Sequence, residues 1–435
     1  MLDFSRIETI DFHAHSVREY NLSQWVEHLG LAMLESVIPK DVLRTVMIAR
    51  GDLLGVHLTP ERQKAYVKKA EQYEKSLGIS NLLERQKREL TSLPSFDDLV
   101  LYLAKTYGCK PILTDIDRAI DDVLRADPTG YVSSVLDREN IKLALLDLLG
   151  HKDVEPPFPH RNFGLLFCPT KSIINPIWAM EHESTNLDDT LKLCEEEIKD
   201  VEKRKFSGFK CEIAYFRTMQ IRDVDQDQAN KAYKALRRAK PVGQDLWETV
   251  PIYRKSSDKH NLETYQDFMM RYVMSKAADL KVHVQFHTGC GLGAHNLSHA
   301  NPTLLYELLM DDDMKRTKVV LLHTGYPFVE EAALMAAQFP NVYIDISVLL
   351  LFHGAYKQSL KTILEFVPHQ KILYSSDAIT FPELYAYHGW FIKSTLKEIL
   401  TEFITSHGWN EERCMEVAEM ILNGNAKGLG VRKAA

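Results

Sequence analysis

Eight short apolar runs, separated by longer stretches, constrain the fold of this 435-residue sequence more than any other feature. Each run is rich in Val, Ile, Leu and Phe, and several end in a polar residue, which is typical of parallel strands covered on both faces. The runs cover residues 7–14, 141–147, 162–168, 206–213, 281–287, 318–323, 341–347 and 371–377. Amphipathic stretches of helix length, such as residues 301–315 and 328–340, separate the later runs. This alternation predicts parallel βα units.

Eight such units fit an α/β fold of the (β/α)8 TIM-barrel type, whose chemistry lies at the carboxyl ends of the strands. An open doubly wound sheet is the alternative, but no GxGxxG turn follows the first run. Residues 18–139 interrupt the alternation with helical patterns, and a structureless loop of that length is uncommon in a compact domain. We therefore predict a barrel built from residues 1–17 and 140–435, with residues 18–139 as an inserted helical subdomain that caps the barrel mouth.

The composition excludes several classes of protein. Hydrophobic residues make up 45% of the chain, charged residues 26%, and the net charge of −7 gives no basic surface for nucleic acid. Charges interrupt the N-terminal apolar run early, and no apolar run approaches the length that spans a bilayer, so we expect a cytoplasmic protein without a membrane partner. The six cysteines lack CxxC spacing, which argues against a disulfide framework and a zinc ribbon. A homo-oligomer stays open, because the sequence does not fix the oligomeric state.

The strand ends collect histidines and a carboxylate. His13 and His15 end the first run, and alternate residues of a strand point to one face, which suits two ligands of one metal ion. His287, His323 and Asp377 end the fifth, sixth and eighth runs. A single buried histidine is usually a hydrogen-bonded core residue, but five metal-type residues at four strand ends favour a metal site. A non-catalytic metal-binding or scaffold protein is the alternative, since barrels carry many functions.

The ligand types indicate which metal the site prefers and what it does. Imidazole nitrogen and carboxylate oxygen suit Zn²⁺ best, with Mn²⁺ or Fe²⁺ as alternatives and one or two ions in the site. An open coordination position lets such an ion lower the pKa of a water molecule towards neutrality. Asp377 is then placed to accept a proton from that water, and His323 to polarise the scissile carbonyl or to act as an acid or base.

Five segments, in chain order, resemble the amidohydrolase superfamily of metal-dependent (β/α)8-barrel enzymes: "DFHAH", "FHTGCG", "LLHTGYP", "YSSDA" and "ILNGNAKGLG". "HTGCG", "HTGYPF" and "SSDAITFPE" also resemble the amidohydrolase-type domain that occurs alone in bacteria and fused to glutamine synthetase in some fungal and plant proteins. The resemblance implies that His13, His15 and His287 bind metal. It also implies that His323 is the sixth-strand histidine and Asp377 the eighth-strand acid.

The fourth run leaves the number of metal ions open. In many binuclear members of the superfamily a carboxylated lysine bridges two metals, in others a glutamate does so, and mononuclear members use neither. The segment "GFKCEIAYFR" offers both Lys210 and Glu212, two positions apart and hence on one face of a strand. The fusion-type domain has a lysine at the position of Lys210 but usually continues with Tyr-Arg-Ser-Gly or Tyr-Arg-Thr-Gly, whereas residues 215–219 here read Tyr-Phe-Arg-Thr-Met.

Two reactions fit these residues. The first is hydrolysis of a C–N bond in a small amide by metal-activated water, and the second is metal-dependent decarboxylation of a small unsaturated carboxylic acid. Resemblance to a domain fused with glutamine synthetase implies a γ-glutamyl or similar amide, whose carboxylate needs a cation, and Arg161 and Arg217 are the candidates. Trp178 and Tyr326 follow predicted strands and are candidates to line an apolar part of the pocket.

Overall fold

A computed structural model describes residues 2–17, 20–50, 60–148, 163–244, 250–291, 293 and 295–433. Its strands are β1 (Thr9–His15), β2 (Ile141–Asp147), β3 (Phe163–Phe167), β4 (Gly208–Cys211), β5 (Gly243–Gln244), β6 (Pro251–Ile252), β7 (His283–Phe286), β8 (Lys318–Leu321), β9 (Val342–Asp345) and β10 (Ile372–Leu373). Eight of them form one parallel sheet in the order β1-β2-β3-β4-β7-β8-β9-β10. β5 and β6 form a separate antiparallel pair. All eight predicted runs contain a strand of the parallel sheet.

The two edges of the parallel sheet meet, so that the sheet curves into a barrel. The Phe12 amide of β1 donates a hydrogen bond to the Tyr374 carbonyl over 3.0 Å, and the Asp377 amide donates to the His13 carbonyl over 3.0 Å. A barrel of eight parallel strands leaves no exposed sheet edge. The predicted TIM-barrel architecture is confirmed, and the open sheet is wrong.

Helices occupy the connections between the strands. They are α1 (Leu22–Met33), α2 (Lys40–Arg50), α3 (Pro60–Leu77), α4 (Ile79–Thr91), α5 (Pro94–Tyr107), α6 (Leu113–Ala126), α7 (Tyr131–Arg138), α8 (Pro176–Glu181), α9 (Leu187–Lys203), α10 (Gln226–Leu236), α11 (Ser256–Asp279), α12 (Tyr306–Met310), α13 (Val329–Gln338), α14 (His353–Phe366), α15 (Glu383–Ser406), α16 (Glu411–Glu419) and α17 (Asn425–Gly428). Local sequence sets several of their starts. At α10, for example, Asp225 and Gln228 form a capping box that satisfies free amides of the first turn.

The helices between β1 and β2 pack in two different ways. α3 buries none of its residues, whereas α5 to α7 contribute residues such as Leu103, Ile120 and Val135 to the main core. A second, smaller core joins residues of α1, α2, α4 and the turn between the first two helices: Leu31, Leu34, Ile38, Val42, Leu43, Val46, Met47, Ile48, Ile79 and Leu83. α1 also contributes Leu22, Trp25, Val26 and Leu29 to the main core, so both ends of residues 18–139 are continuous with the barrel core, while α2 and the sides of α1 and α4 that face it form the second core.

The interior of the barrel is filled by apolar side chains from its strands and from the C-terminal segment. These residues are Ile10, Phe12, Leu143, Leu145, Leu166, Val320, Leu322, Leu373, Ala426 and Leu429. The C-terminal segment lies at the amino ends of the strands, because the Arg432 amide bonds Ser207 Oγ just before β4 and Asn423 Nδ2 bonds the Glu8 carbonyl just before β1, each over 2.8 Å. We call this apolar end the floor of the barrel and the opposite, carboxyl-terminal end its mouth.

Two further expectations concern the whole chain. Among the described residues, no helix combines the length and the apolar composition that crossing a bilayer requires. All six cysteines are free thiols, in agreement with their unpaired spacing. Four of these cysteines are buried and pack as small apolar residues.

Candidate metal centre

Three side chains meet at the mouth of the barrel in a geometry that suits a metal ion. His13 and His15 lie at the end of β1, and their Nε2 atoms are 3.5 Å and 3.4 Å from Oδ1 of Asp377, which follows β10. All three residues are buried, and their potential ligand atoms lie within 4.8 Å of one another. Two imidazoles and one carboxylate are a donor set that zinc and neighbouring first-row ions prefer.

A register shift in β1 helps to bring both histidines to the centre. The pairing of β1 with β2 is irregular between Asp11 and Ala14. Phe12 packs in the barrel interior, while His13 and His15 reach the mouth. Such irregularities re-aim side chains near functional sites.

His287 and His323 extend this cluster from two other strands of the barrel. They follow β7 and β8, and their ring centroids are 4.7 Å apart. His323 Nδ1 is 3.5 Å from Oδ2 of Asp377, so the carboxylate reaches three imidazoles. His287 Nε2 is buried and has no hydrogen-bond partner among the described residues. A buried nitrogen without a partner costs free energy unless something binds it, which fits the expectation that His287 faces a metal ion.

The backbone is strained at two of these residues. His323 has φ 64° and Asp377 has φ 50°, in the left-handed region that residues other than glycine seldom adopt. Carboxylates of neighbouring strands accept the local amides: Asp345 Oδ1 accepts from His323 N over 2.6 Å, and Asp11 Oδ1 accepts from Ser376 N over 2.8 Å. Strain of this kind persists only where the surrounding structure holds it, and it concentrates at functional sites.

The electrostatics keep the Asp377 carboxylate charged and keep His13 and His287 neutral, whereas at His15 the carboxylates of Asp377 and Asp147 outweigh the effect of burial and raise the pKa. Burial alone would raise the pKa of Asp377, but the nearby His323, His15 and Lys210 outweigh burial and lower this pKa to about 2. Burial, assisted by neighbouring positive groups, holds the pKa of His13 and of His287 well below the usual 6.5. Neutral imidazole and ionised carboxylate are the protonation states that bind a divalent metal.

Lys210 and Glu212 both lie near the centre but contact different groups. Lys210 Nζ, on β4, is 3.2 Å from His13 Nε2. That nitrogen has one lone pair, so it can accept from Lys210 or bind a metal, but not both. Glu212 Oε2 is 3.5 Å from Cys168 Sγ, and burial together with the nearby Asp147 raises the pKa of Glu212 to about 7.

A family model described as Amidohydrolase matches residues 192–426, which is more than half of the sequence and includes His287, His323 and Asp377. The chain belongs to the amidohydrolase family. The predicted superfamily is thereby confirmed, and the protein is an enzyme of a metal-dependent superfamily with a candidate metal site at His13, His15 and Asp377.

Known proteins resemble this amidohydrolase to different extents. The protein named fluG from Emericella nidulans is 25% identical over 229 residues, which is 51% of this chain but only about a quarter of that protein's length. A solved structure assigned as a metal-dependent hydrolase from Lactobacillus casei has a TM-score of 0.67 at 18% identity, covering 99% of this chain and 97% of that one. Uronate isomerase from Thermotoga maritima has a TM-score of 0.61 at 11% identity, covering 98% and 95%. At these identities the two structures show a shared fold over nearly the whole chain.

The candidate substrate-binding residues have varied surroundings in the amidohydrolase. The Arg217 guanidinium donates to Asp267 over 2.6 Å and to three backbone carbonyls, so its described contacts hold a loop together. Trp178, on α8, packs beside the ring of His182 with centroids 5.0 Å apart. Tyr326 follows the turn that contains His323 and packs against another ring of the mouth. Arg161 lies outside the described residues.

Other residues near the centre escaped the sequence interpretation. Tyr215 stacks on His287 with centroids 4.3 Å apart, and His295, in the loop after β7, lies 5.0 Å from Tyr215. Asp345 and Ser347, at the end of the seventh barrel strand, contact His323. Their signal is the same as for His13 and His15, namely two polar residues two positions apart at a strand end.

Proposed function

We propose that this amidohydrolase hydrolyses a C–N bond of amide type in a small molecule, with a divalent metal held by His13, His15, His287 and Asp377. The observation that carries the proposal is the position of Asp377. Its two oxygens contact imidazoles on both sides, with His13 and His15 at one oxygen and His323 at the other. One carboxylate therefore lies within reach of both a metal ligand set and a further proton-carrying group.

The metal would supply Lewis-acid polarisation of the substrate and acidify a water molecule. Asp377, ionised because neighbouring positive groups outweigh its burial, accepts the proton of that water. His323 lies beside Asp377 and is the second group that can hold or return a proton. Lys210 Nζ, 3.2 Å from His13 Nε2, would give up this contact where His13 binds the metal, and in a carboxylated form Lys210 would itself be a metal ligand.

Zinc is the metal we propose, because two or three imidazoles with one carboxylate match its preferred donors. Purified protein analysed for metals after mild preparation should contain zinc, manganese or iron near one or two equivalents. Absence of metal, together with no gain of melting temperature or activity when these ions are added, would contradict a metal-dependent mechanism for this chain.

The reaction is tested on a panel of small amides, with γ-glutamyl amides among them. Ammonia or amine, carbon dioxide and sugar isomerisation are measured in parallel, because the same fold occurs in uronate isomerases. We expect release of ammonia or amine, loss of this activity with a chelator and recovery on adding Zn²⁺. Carbon dioxide without amine would support the decarboxylase alternative, and isomerised uronates without either product would replace both hypotheses.

We also propose that residues 18–139 cap the mouth and shape substrate selection. A Cβ atom at Gly293, in the loop after β7, would collide with the Glu35 carboxylate. The Trp25 ring stacks on Phe381, after β10, with centroids 6.0 Å apart. The inserted helices thus contact loops that follow two of the strands carrying the metal centre.

The capping role is tested by Glu35→Ala and Trp25→Ala, with the exposed Glu71→Ala on α3 as a matched control. We expect the first two variants to change the ratio of kcat/KM between large and small amides while the metal content stays the same. If this ratio is unchanged in both variants, the inserted helices do not take part in substrate selection.

A further inference from the structure

A chain of three buried polar side chains runs from β9 to the histidine that follows β8. Ser347 Oγ lies 3.0 Å from His323 Nδ1 and 2.9 Å from Asp345 Oδ2. Ser347 and Asp345 are fully buried, and His323 is 7% exposed. Nothing in the proposed reaction requires Ser347 or Asp345 to touch a substrate, so their contacts call for a different role.

The direction of these hydrogen bonds follows from the number of protons available. A serine hydroxyl has one proton to donate, and an ionised carboxylate can only accept. Ser347 therefore donates to Asp345, and its oxygen accepts a proton that must come from His323 Nδ1. The other group near Nδ1 is the Asp377 carboxylate at 3.5 Å, which is also an acceptor. Both neighbours select the neutral tautomer with its proton on Nδ1, and the lone pair is left on Nε2.

We propose that Ser347 and Asp345 are positioning residues that hold His323 in the Nδ1–H tautomer and fix its ring, so that Nε2 offers a lone pair to the metal or to a substrate proton. This inference rests on the proposed function and deepens it, because a neutral imidazole held in this way acts as a base or ligand and not as a proton donor to a carbonyl. Partners that fix the second nitrogen of a functional histidine commonly set its tautomer and basicity.

Asp345 has a second task that Ser347 lacks. Its Oδ1 accepts the His323 backbone amide over 2.6 Å and thereby holds the residue at φ 64°. Ser347→Ala removes the ring contact and the hydroxyl that donates to Asp345 but leaves the backbone hydrogen bond of His323 in place. Asp345→Asn can keep an acceptor for that backbone amide while placing an NH₂ group against Ser347. In that variant the Ser347 hydroxyl would accept from the introduced amide and donate to Nδ1, which reverses the chain and favours the Nε2–H tautomer.

The tautomer is measured by nitrogen NMR of the full-length protein labelled at histidine, in zinc-loaded and in chelator-treated form. The chain has 17 histidines, so the His323→Gln spectrum assigns the signal by difference. We expect Nδ1–H at His323 in both forms of the parent protein and in Ser347→Thr, and Nε2–H in chelator-treated Asp345→Asn. An Nε2–H tautomer of His323 in the parent protein would overturn the proposal. This outcome does not depend on whether any variant folds.

Turnover gives an independent second readout once a substrate is known. Ser347→Ala should lower kcat about 10- to 100-fold in protein that is still folded at the assay temperature, and Ser347→Thr, which keeps the hydroxyl, should recover most of it. Equal rates for Ser347→Ala and the parent would overturn the positioning role. Because the NMR result needs no substrate, it stands even if the amide panel disproves the proposed reaction.

Discussion

The mouth and the floor of the barrel are buried to a similar degree but contain opposite chemistry. At the mouth, His13 and Asp377 are 0% and 5% exposed, and Asp377 stays ionised. At the floor, equally buried positions such as Leu145 and Leu373 carry only hydrocarbon, sealed by the C-terminal segment. The same eight strands line both ends, so the difference lies in which residues stand early and late along each strand.

This difference separates stability from function. Apolar burial stabilises by about 25 cal/mol per Å² of area removed from water, whereas buried charges and unpaired nitrogens oppose folding unless a ligand satisfies them. The strained, polar mouth is therefore costly in the absence of a ligand, and the floor offsets that cost. Substitutions at the mouth should mainly change metal binding and turnover, and substitutions at the floor should mainly change the free energy of unfolding.

The largest effect is expected from the removal of a metal ligand. His13→Ala takes away one of the four proposed ligands and one of the three residues of the candidate metal group, and we expect it to lose nearly all bound metal and all measurable turnover. Metal content and activity are measured together, with His260→Ala on the exposed face of α11 as the control. If His13→Ala retains metal at the parental stoichiometry, His13 is not a metal ligand and the metal is not bound at the end of β1.

Asp377→Asn should separate chemistry from binding at the mouth. Asparagine keeps the shape of the side chain but accepts no proton at neutral pH, and removal of a general base costs about 10²- to 10⁴-fold in rate. We expect kcat to fall by that factor while most metal is retained. The control is Asp312→Asn at a side chain that is 93% exposed. A variant within a few-fold of the parental rate would transfer the proton-accepting role to His323.

Leu145→Ala tests the floor. This fully buried side chain lies in the interior cluster, and truncation of a buried leucine costs about 2–5 kcal/mol of unfolding free energy. Chemical denaturation should show that loss, while metal content at temperatures below the transition stays parental. Leu101→Ala, at a residue that is 57% exposed, should change stability by less than about 0.5 kcal/mol. Loss of metal in Leu145→Ala would show that the two ends are not separable.

The smallest effect concerns pH and His283, which lies inside the barrel on β7. Burial lowers the pKa of His283 from 6.5 to about 3. Between pH 6.5 and pH 3, His283 is therefore mostly protonated in the unfolded chain and mostly neutral in the folded protein. Protonation of His283 therefore does not reduce the free energy of unfolding above pH 6.5, and it reduces it progressively as the pH falls towards 3. At pH 5 the reduction is about 2 kcal/mol. Denaturation of chelator-treated His283→Gln at pH 7 and pH 5 should show a shallower decline than the parent. An identical decline would mean that His283 does not contribute.

Much of this architecture follows from local patterns in the sequence. Each strand is a short apolar run bounded by polar residues, and burial on both faces of a parallel strand demands that composition. The closeness of His13, His15, His287, His323 and Asp377 could be predicted, because parallel strands place their carboxyl ends at one end of a barrel. The pattern needs no knowledge of which side chains touch.

Long-range partners could not be predicted in this way. Arg217 is predicted as a candidate for substrate carboxylate, and only the fold shows its guanidinium on Asp267, 50 positions further along the chain. Asp345 and Ser347 form a polar pair at a strand end, but their contact with His323 is decided only when β9 lies beside β8. No local signal indicated that residues 425–432 would seal the floor.

The sequence by itself determined the class of fold and the identity of the metal-type residues, because both depend on periodicity and on chemical types at strand ends. Tertiary structure alone decided which groups face Nδ1 of His323, which groups surround Asp377 and which helices of residues 18–139 join the main core. The physical reason is that burial and hydrogen-bond geometry are properties of several chain segments together. The sequence fixes the chemical type of each side chain. Its pKa, tautomer and strain are set by neighbours that only folding brings within about 4 Å.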